Sequence, residues 1–329
     1  MFPILEPESL LALYERFGTA DLPLAGDFPE RDNQGPSNKV EWEIIEYGRD
    51  VAQINTRTGA PQEISSPIRA LKHATALSMS EKITVPPDVM ADLGAPGDRR
   101  QKNGMRWVAN CIKQLRLRID KRVSLLRCQC IGTASGNLSF TLPGGIAETV
   151  DLGYRATHQT LATAWSNAAT DMISDIETAK ELIARDAGKT ATKLVINRSV
   201  MAYVRANTKV LSFLDEFAKR ELLATGRLSR LCELDIQVID SGYVPDSTGT
   251  FANYIPDAFA AIMAGDTSER ATINCAPVSP HAPDGTKGIF FHTWTEPGIK
   301  GQTHIEYEHN VLPIITQPDE VVYDTNVNA

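Results

Sequence analysis

The chain has 329 residues, 42% of them apolar and 22% charged, and a net charge of −8. That balance excludes a disordered or collagenous chain and is enough for a proper core in two domains or one elaborated domain. No run approaches the ~20 apolar residues of a membrane span, and the acidity excludes a generally basic nucleic-acid binder while leaving room for one basic surface.

Met1 to Glu6 has neither a basic head nor an apolar run, so no secretory signal is expected. Residues 1–37 read as an arm, with a short helix from Leu10 to Phe17 followed by Pro23, Gly26, Pro29, Gly35 and Pro36, which forbid regular structure. Such an arm is expected to be disordered or laid against a partner. Residues 38–85 alternate: Val40, Trp42 and Ile44 share one face and Glu41 and Glu43 the other. A turn near Thr56–Pro61 and a return strand from about Ile64 to Ser80 complete a long β-hairpin, which is marginal in water unless it lies on something.

A long helix is expected from about Asp98 to Cys130, ended by Gly132, with Gly104 fraying its first turn. Met105, Val108, Ile112, Leu115, Ile119, Val123 and Leu126 form one apolar stripe, while Trp107, Leu117 and Leu125 project elsewhere. A helix apolar on two sides is buried on two sides. From Arg99 onward it carries ten Lys or Arg against one acid, Asp120, so this segment is +9 and the rest of the chain −17. Such one-sided charge repels itself unless a polyanion or an acidic surface lies nearby. Arg106, Lys113, Arg118 and Lys121 lie well away from the apolar stripe and are the candidate contacts.

Residues 133–160 are Gly-rich with a β-type patch at Leu138–Leu142. From Asp171 the texture is α/β. Ser174 and Glu177 suggest a capping box on a helix to Ala187, closed by Gly188. A strand follows at Lys193–Asn197, then helices at Ser199–Ala206 and Val210–Thr225 and strands at Asp235–Asp240 and Ala258–Ala264. The last sixty residues read as three strands, Gly288–Thr295, Gly301–His309 and Val311–Thr316.

Candidate chemistry is sparse. His304, Glu306 and Glu308 alternate on one strand face with His309 on the other, a set that either holds a metal ion or is an exposed polar face. Cys128-x-Cys130 has the wrong gap for a zinc or redox motif, and the five irregularly spaced cysteines read as reduced, buried thiols. Gly132–Gly136 lacks the Lys-Ser/Thr of a phosphate loop, and no Gly-x-Ser-x-Gly elbow exists. Neither a catalytic cluster nor a cofactor is expected.

Several stretches carry a resemblance: Lys82-Ile83-x-Val85-Pro86-Pro87, Trp165-Ser166 followed by Asp175-Ile176-Glu177-x-Ala179, Leu194-Val195-Ile196-Asn197, Asn253-Tyr254-Ile255-Pro256-Asp257, and Pro313-Ile314-Ile315 with Pro318-Asp319-Glu320. In this order the chain resembles tailed-phage major capsid proteins of the Hong Kong 97-type fold, most closely the lambda-type major capsid protein E family. It departs from that family at Arg122, Arg127, Cys128 and Cys130, where acids are common. The resemblance implies an α+β fold with an N-terminal arm (1–37), an extended β-hairpin loop (38–85), a peripheral domain with the spine helix (86–160 and 270–329), and an α/β axial domain (161–269). It implies a non-enzymatic shell subunit without cofactors that forms hexamers and pentamers, with a portal, a scaffolding protein and a decoration protein as partners and packaged DNA as a non-specific neighbour. A virion capsid assembled in the host cytoplasm, with no membrane contact, is the implied location. Trp42, Ile44 and Tyr47 would then meet a neighbouring subunit, and the basic positions would face DNA. The alternatives are an encapsulin-like compartment of the same fold and a metal-dependent enzyme using His304, Glu306 and His309.

Overall fold

The computed structural model describes residues 3–17, 22–35, 38–46, 68–95, 98–141, 147–159, 164–245, 249–297 and 302–327. Its N-terminal segment is not free. Helix α1 (Pro7–Arg16) buries Leu10 and Tyr14 in the chain's own interior. Leu24 and Phe28 are buried too, and strand β1 (Glu30–Asp32) pairs in parallel further along the chain. The expectation of an arm laid on a partner is therefore corrected for these residues. Apolar side chains recur every few residues through the Pro-rich stretch and find cover at home.

Strands β2 (Lys39–Glu46) and β3 (Ile68–Thr75) pair antiparallel as the expected hairpin, whose turn lies outside the described residues. The return limb does not continue straight to Ser80. At Ala76, whose N–H donates to the Asn38 carbonyl at 2.7 Å, the chain leaves the hairpin, and β4 (Leu77–Val85) joins a larger sheet.

Helix α2 (Pro87–Gly94) precedes the spine helix α3 (Asp98–Cys128). At ~1.5 Å per residue α3 is on the order of 45 Å long. Gly104 does not fray it. It is buried where α2 crosses, and a Cβ there would lie 2.9 Å from Leu93 Cγ. A π-type turn, Gln129–Thr133, ends the helix at Gly132, whose φ of +105° and contact with the Tyr323 ring admit no side chain. Strands β5 (Asn137–Thr141) and β6 (Ala147–Asp151) form a small hairpin.

The α/β unit follows. Helix α4 (Met172–Asp186) is capped by Asp171, which accepts from Ser174 N–H at 3.2 Å; the expected Ser174–Glu177 box is thus displaced by an earlier carboxylate. Strand β7 (Ala191–Ile196), α5 (Arg198–Ala206), α6 (Thr208–Phe213) and α7 (Glu216–Thr225) come next. The single helix expected at Val210–Thr225 is split because Asp215 caps α7 by accepting from Ala218 N–H at 2.7 Å. Strands β8 (Arg230–Leu231), β9 (Leu234–Val238), the hairpin β10 (Gly242–Tyr243) and β11 (Ala252–Asn253), and β12 (Ala260–Ala264) complete this stretch.

Last come β13 (Arg270–Asn274), β14 (Ile289–Thr295), β15 (Thr303–Ile315) and β16 (Val321–Asp324). The two strands expected between 301 and 316 are one 13-residue strand. Asn310 does not interrupt it, because its amide is absorbed by the Ala276 carbonyl and Glu308.

Two five-stranded sheets organise these elements. One has the order β16-β12-β7-β9-β8. The chain's end therefore belongs to the α/β sheet, which moves the expected boundary of the peripheral region: β16 is not part of it. In the other sheet β15 is central. Val311 pairs with Leu77 of β4 on one side and with Asn274 of β13 on the other, while β14 pairs with residues 303–309 on the β13 side. β13 and β14 thus form one line along β15, interrupted by the excursion 275–288.

Side-chain alternation sorts the core. Leu194, Ile196, Ala260, Ile262 and Val322 face helices α4 to α7, whereas Val195, Ala261, Met263, Val321 and Tyr323 face a second cluster with Trp42, Leu126, Cys128 and Phe259. The stripe Val108, Ile112, Leu115, Ile119 and Val123 of α3 packs with Leu10, Phe291, Ile305 and Tyr307 in a third.

Candidate functional site

The hairpin root is apolar on one face, as expected. Val40 and Trp42 are buried, Ile44 is half-buried, and Glu41 and Glu43 are exposed. Trp42 is only 5% exposed, and its cover comes from its own chain, in the cluster with Leu126 and Phe259. Its expected role as a contact on a neighbouring subunit is corrected by this burial: Trp42 anchors the ribbon. Ile44 packs at the margin of the same cluster, and Tyr47 lies outside the described residues. Beside the root, Lys72 donates to Asp151 at 2.9 Å, clipping the ribbon to the β5–β6 hairpin and holding that carboxyl below the usual range. A shallow cleft of about 360 Å³ lies between them, lined by Leu71, Ala74, Phe140 and Val150.

The basic helix divides its charges. Arg116 and Arg127 are buried. Arg116 donates to the Tyr14 carbonyl and lies 4.3 Å from the Tyr14 ring centroid; Arg127 donates to Thr272 Oγ1 at 3.0 Å and pairs with Glu30 at 3.4 Å. These two cations hold the N-terminal segment down. Arg100 pairs with Asp92 and Arg118 with Glu81, each at 2.9 Å. Part of the acidic surface demanded by the sequence is thus supplied in cis, and Arg118 is engaged by its own β4. Arg106, Lys113 and Lys121 are exposed and share one face of α3, opposite its buried stripe. Over the 15 residues that separate Arg106 from Lys121 the helix rises ~22 Å. Leu125 and Trp107 are covered by this chain, whereas Leu117 is exposed on the basic face.

The polar strand face is not an exposed one. His304 is buried, with Nδ1 3.0 Å from Thr84 Oγ1 and Nε2 3.0 Å from Glu296. Glu308 accepts from the backbone N–H groups of Val278 at 2.5 Å and Ser279 at 3.0 Å, and from Asn310. Glu306 accepts from Ser80 at 3.0 Å. His309 points to the opposite face, under α3, where burial and the nearby Arg127 guanidinium lower its pKa to about 4. These side chains serve strand pairing and loop attachment. Among the described residues no group of three or more His, Cys, Asp or Glu is arranged to hold a metal ion. The thiols of Cys111, Cys128, Cys130 and Cys275 are buried and free, and burial raises the pKa of each.

Sequence reasoning missed several exposed apolar side chains, Leu71 and Val278 among them and four more beside turns or caps. Phe213 and Phe217 flank the α6–α7 break, while Val244 directly follows β10 and Phe251 directly precedes β11. Their only signal in the sequence is an apolar residue beside a turn or cap, which by itself is ordinary.

No described helix is long and apolar enough to cross a membrane. No curated protein matches the sequence significantly. Solved structures do match in fold. The capsid protein assigned to a prophage of E. coli CFT073 aligns at 16% identity and a TM-score of 0.66, covering 97% of this chain and 98% of that one. A phage-related protein from Bordetella bronchiseptica RB50 aligns at 13% identity and a TM-score of 0.56, covering 97% and 96%. The capsid of the cyanophage P-SCSP1u aligns at 14% identity and a TM-score of 0.50, covering 95% and 90%. The family model described as phage major capsid protein E matches residues 18–325. A ribbon, a spine helix and an α/β unit in this order, under a family match that spans nearly all of the chain, make it a member of the phage major capsid protein E family, a shell-forming structural subunit of a tailed-phage virion.

Proposed function

We propose that copies of this chain form the hexamers and pentamers of an icosahedral head around packaged double-stranded DNA. The observation that carries this reading is the family match over 18–325. Apolar side chains left uncovered in the single chain, Leu71 and Phe217 among them, support it. In this reading residues 161–269, together with β16, are the axial domain. Residues 86–160 and the β13–β15 region form the peripheral domain, and the ribbon 38–85 reaches over a neighbour from its Trp42 anchor, with Ile44 and Tyr47 next along it. Arg106, Lys113 and Lys121 face inward, where a row of cations offsets phosphate charge without reading sequence. A portal, a scaffolding protein and a decoration protein complete the particle, which assembles in the host cytoplasm. No step calls for catalysis or a cofactor.

Electron microscopy of the expressed protein tests the reading: closed, symmetric shells are expected, and a monomer that never assembles overturns it. In an assembled shell the basic row tests its own assignment. If Arg106, Lys113 and Lys121 lie on the outer surface, the DNA-facing role is lost.

A further inference from the structure

A row of rings crosses the polar face of the β15 sheet. His292 of β14 stacks on Trp294 with centroids 5.7 Å apart, and Trp294 meets His304 at 5.1 Å. A ring from outside the sheet caps the row. His281, in the middle of the 275–288 excursion, lies flat on His292, with centroids 4.3 Å apart and planes 3° from parallel. His281 is exposed, and His292 is half-buried beneath it.

The excursion is tied down along its base. Asn310 donates to the Ala276 carbonyl at 2.7 Å, Glu308 accepts from the backbone N–H groups of Val278 and Ser279, and Gly288 N–H donates to the Cys275 carbonyl at 3.1 Å. The tip, 280–286, is held differently. Its hydrogen bonds close on the excursion itself: Ala282 N–H to the Ser279 carbonyl and Thr286 N–H to the Pro283 carbonyl, each at 3.1 Å, and His281 N–H to Ser279 Oγ at 3.3 Å. Among the described residues the ring stack is the contact that joins this tip to the sheet.

We propose that the excursion is a flap whose tip closes on His292 at neutral pH and lifts in mild acid, with the His281–His292 stack as its catch. The flap needs only the single chain and stands whether or not the shell reading does. Neutral imidazoles stack, and a proton on the exposed His281 ring leaves one charge over a neutral ring. A second proton, on His292, puts two cations face to face; lifting the tip relieves that repulsion and the burial of His292 together. Burial and, after it, His281 lower the His292 pKa against the opposing pull of Glu306. Glu306 sits directly across from His292 on β15, but it also faces Lys82 of β4 on its other side and accepts from Ser80 at 3.0 Å. Along the row, Glu308 is taken up by the Val278 and Ser279 backbone and Glu296 by His304. The excursion's other charged groups are Asp284, which is exposed, and Lys287, which donates to the Asn33 carbonyl. The lifted flap thus binds the proton more readily than the closed one, so acid favours lifting, by at most about tenfold per pH unit for one proton.

Hydrogen–deuterium exchange of the full-length protein tests this, with each rate divided by the intrinsic chemical rate at that pH. From pH 7.5 to pH 5 the corrected exchange of peptides spanning 276–287 is expected to rise about threefold or more, while Leu194–Ile196 of the α/β sheet stays constant. A flap whose corrected exchange ignores pH overturns the proposal, and so does a rise shared equally by Leu194–Ile196, which means that the whole subunit opens. His281→Phe keeps a ring on His292 without a proton to gain, so its flap is expected to stay protected at both pH values. His281→Ala, with no ring, is expected to exchange fast at both. An acid response that survives in His281→Phe assigns it to Glu308 or another group, and a His281→Ala flap as protected as the wild type at pH 7.5 means that the stack is no catch; either overturns it.

Discussion

The α/β sheet and the β15 sheet are closed in different ways. The first is covered on both faces by apolar side chains of its own chain, with Leu194, Ile196 and Ile262 toward the helices and Val195, Met263 and Tyr323 toward the opposite cluster. Along residues 303–310 of β15 the second has one such face, where Ile305 and Tyr307 lie under α1 and α3, while the other carries His304, Glu306, Glu308 and Asn310; beyond Asn310, Leu312 and Ile314 join the cluster with Trp42. The α/β sheet is held by dispersion and apolar transfer, which tolerate repacking. The polar stretch of the β15 sheet is held by hydrogen bonds, and removing one partner leaves a buried group to bear its desolvation cost. A polar face of that kind looks like a metal site in sequence and acts as a fastener in the fold.

Changes at the seam between the sheets are expected to weigh most. Glu320 leads into β16 and is fully buried, paired with Lys189 and lying 4.0 Å from Arg270 of β13, which is also fully buried. Arg270 also donates to the Ala264 and Asp266 carbonyls, but Glu320→Ala leaves its buried charge without the nearby carboxylate and is expected to destabilise the unassembled subunit by ~3 kcal/mol in urea unfolding. A loss confined to the α/β unit, with the β15 sheet unfolding as before, would break the view that the seam couples the two. Trp42→Ala empties a place in the cluster that both the ribbon and the α/β sheet use, at a cost of about 3 kcal/mol or more. Because Trp42 is covered in cis, the loss should appear in the single subunit before assembly begins.

Acid separates the two sheets. His309, under α3, has a folded pKa of about 4, below its unfolded value of ~6.5. The unfolded chain therefore binds the proton first, and stability rises with pH between these values. As pH falls through that window this group removes about 3 kcal/mol. His309→Asn is expected to flatten the slope, as measured by urea midpoints from pH 7 to pH 4, and an unchanged slope would assign the acid response elsewhere. Glu308→Ala leaves two backbone N–H groups of the 275–288 excursion without their acceptor, at ~1–3 kcal/mol. Faster amide exchange at Val278 and Ser279, with the α/β sheet unaffected, is the expected mark.

Much of the chain was legible. The apolar stripe of α3 from Val108 to Leu126, the in–out order of Val40 to Glu43, and the strand at Leu194 follow from side-chain period, a local property set by backbone geometry. Caps were less so: Asp171 and Asp215 act through hydrogen bonds of a few residues' reach, and either could equally have been solvated. The candidate site was read least well. Arg118 and Trp42 looked available for partners in sequence, but each is engaged within the chain, Arg118 by Glu81 of β4 and Trp42 in a shared cluster.

Local periodicity and composition thus determined the type and order of most elements and the presence of a long one-sided basic helix, while a few short motifs carried the resemblance to a family. Only the tertiary structure decided which charges are paired within the chain, that the N-terminal segment is tied to its own spine helix, that the last strand returns to the α/β sheet, and that side chains such as Phe213 and Phe217 stay exposed. The reason is physical. Backbone period is written in neighbouring residues, whereas pairing and burial depend on which distant segment best complements a given surface.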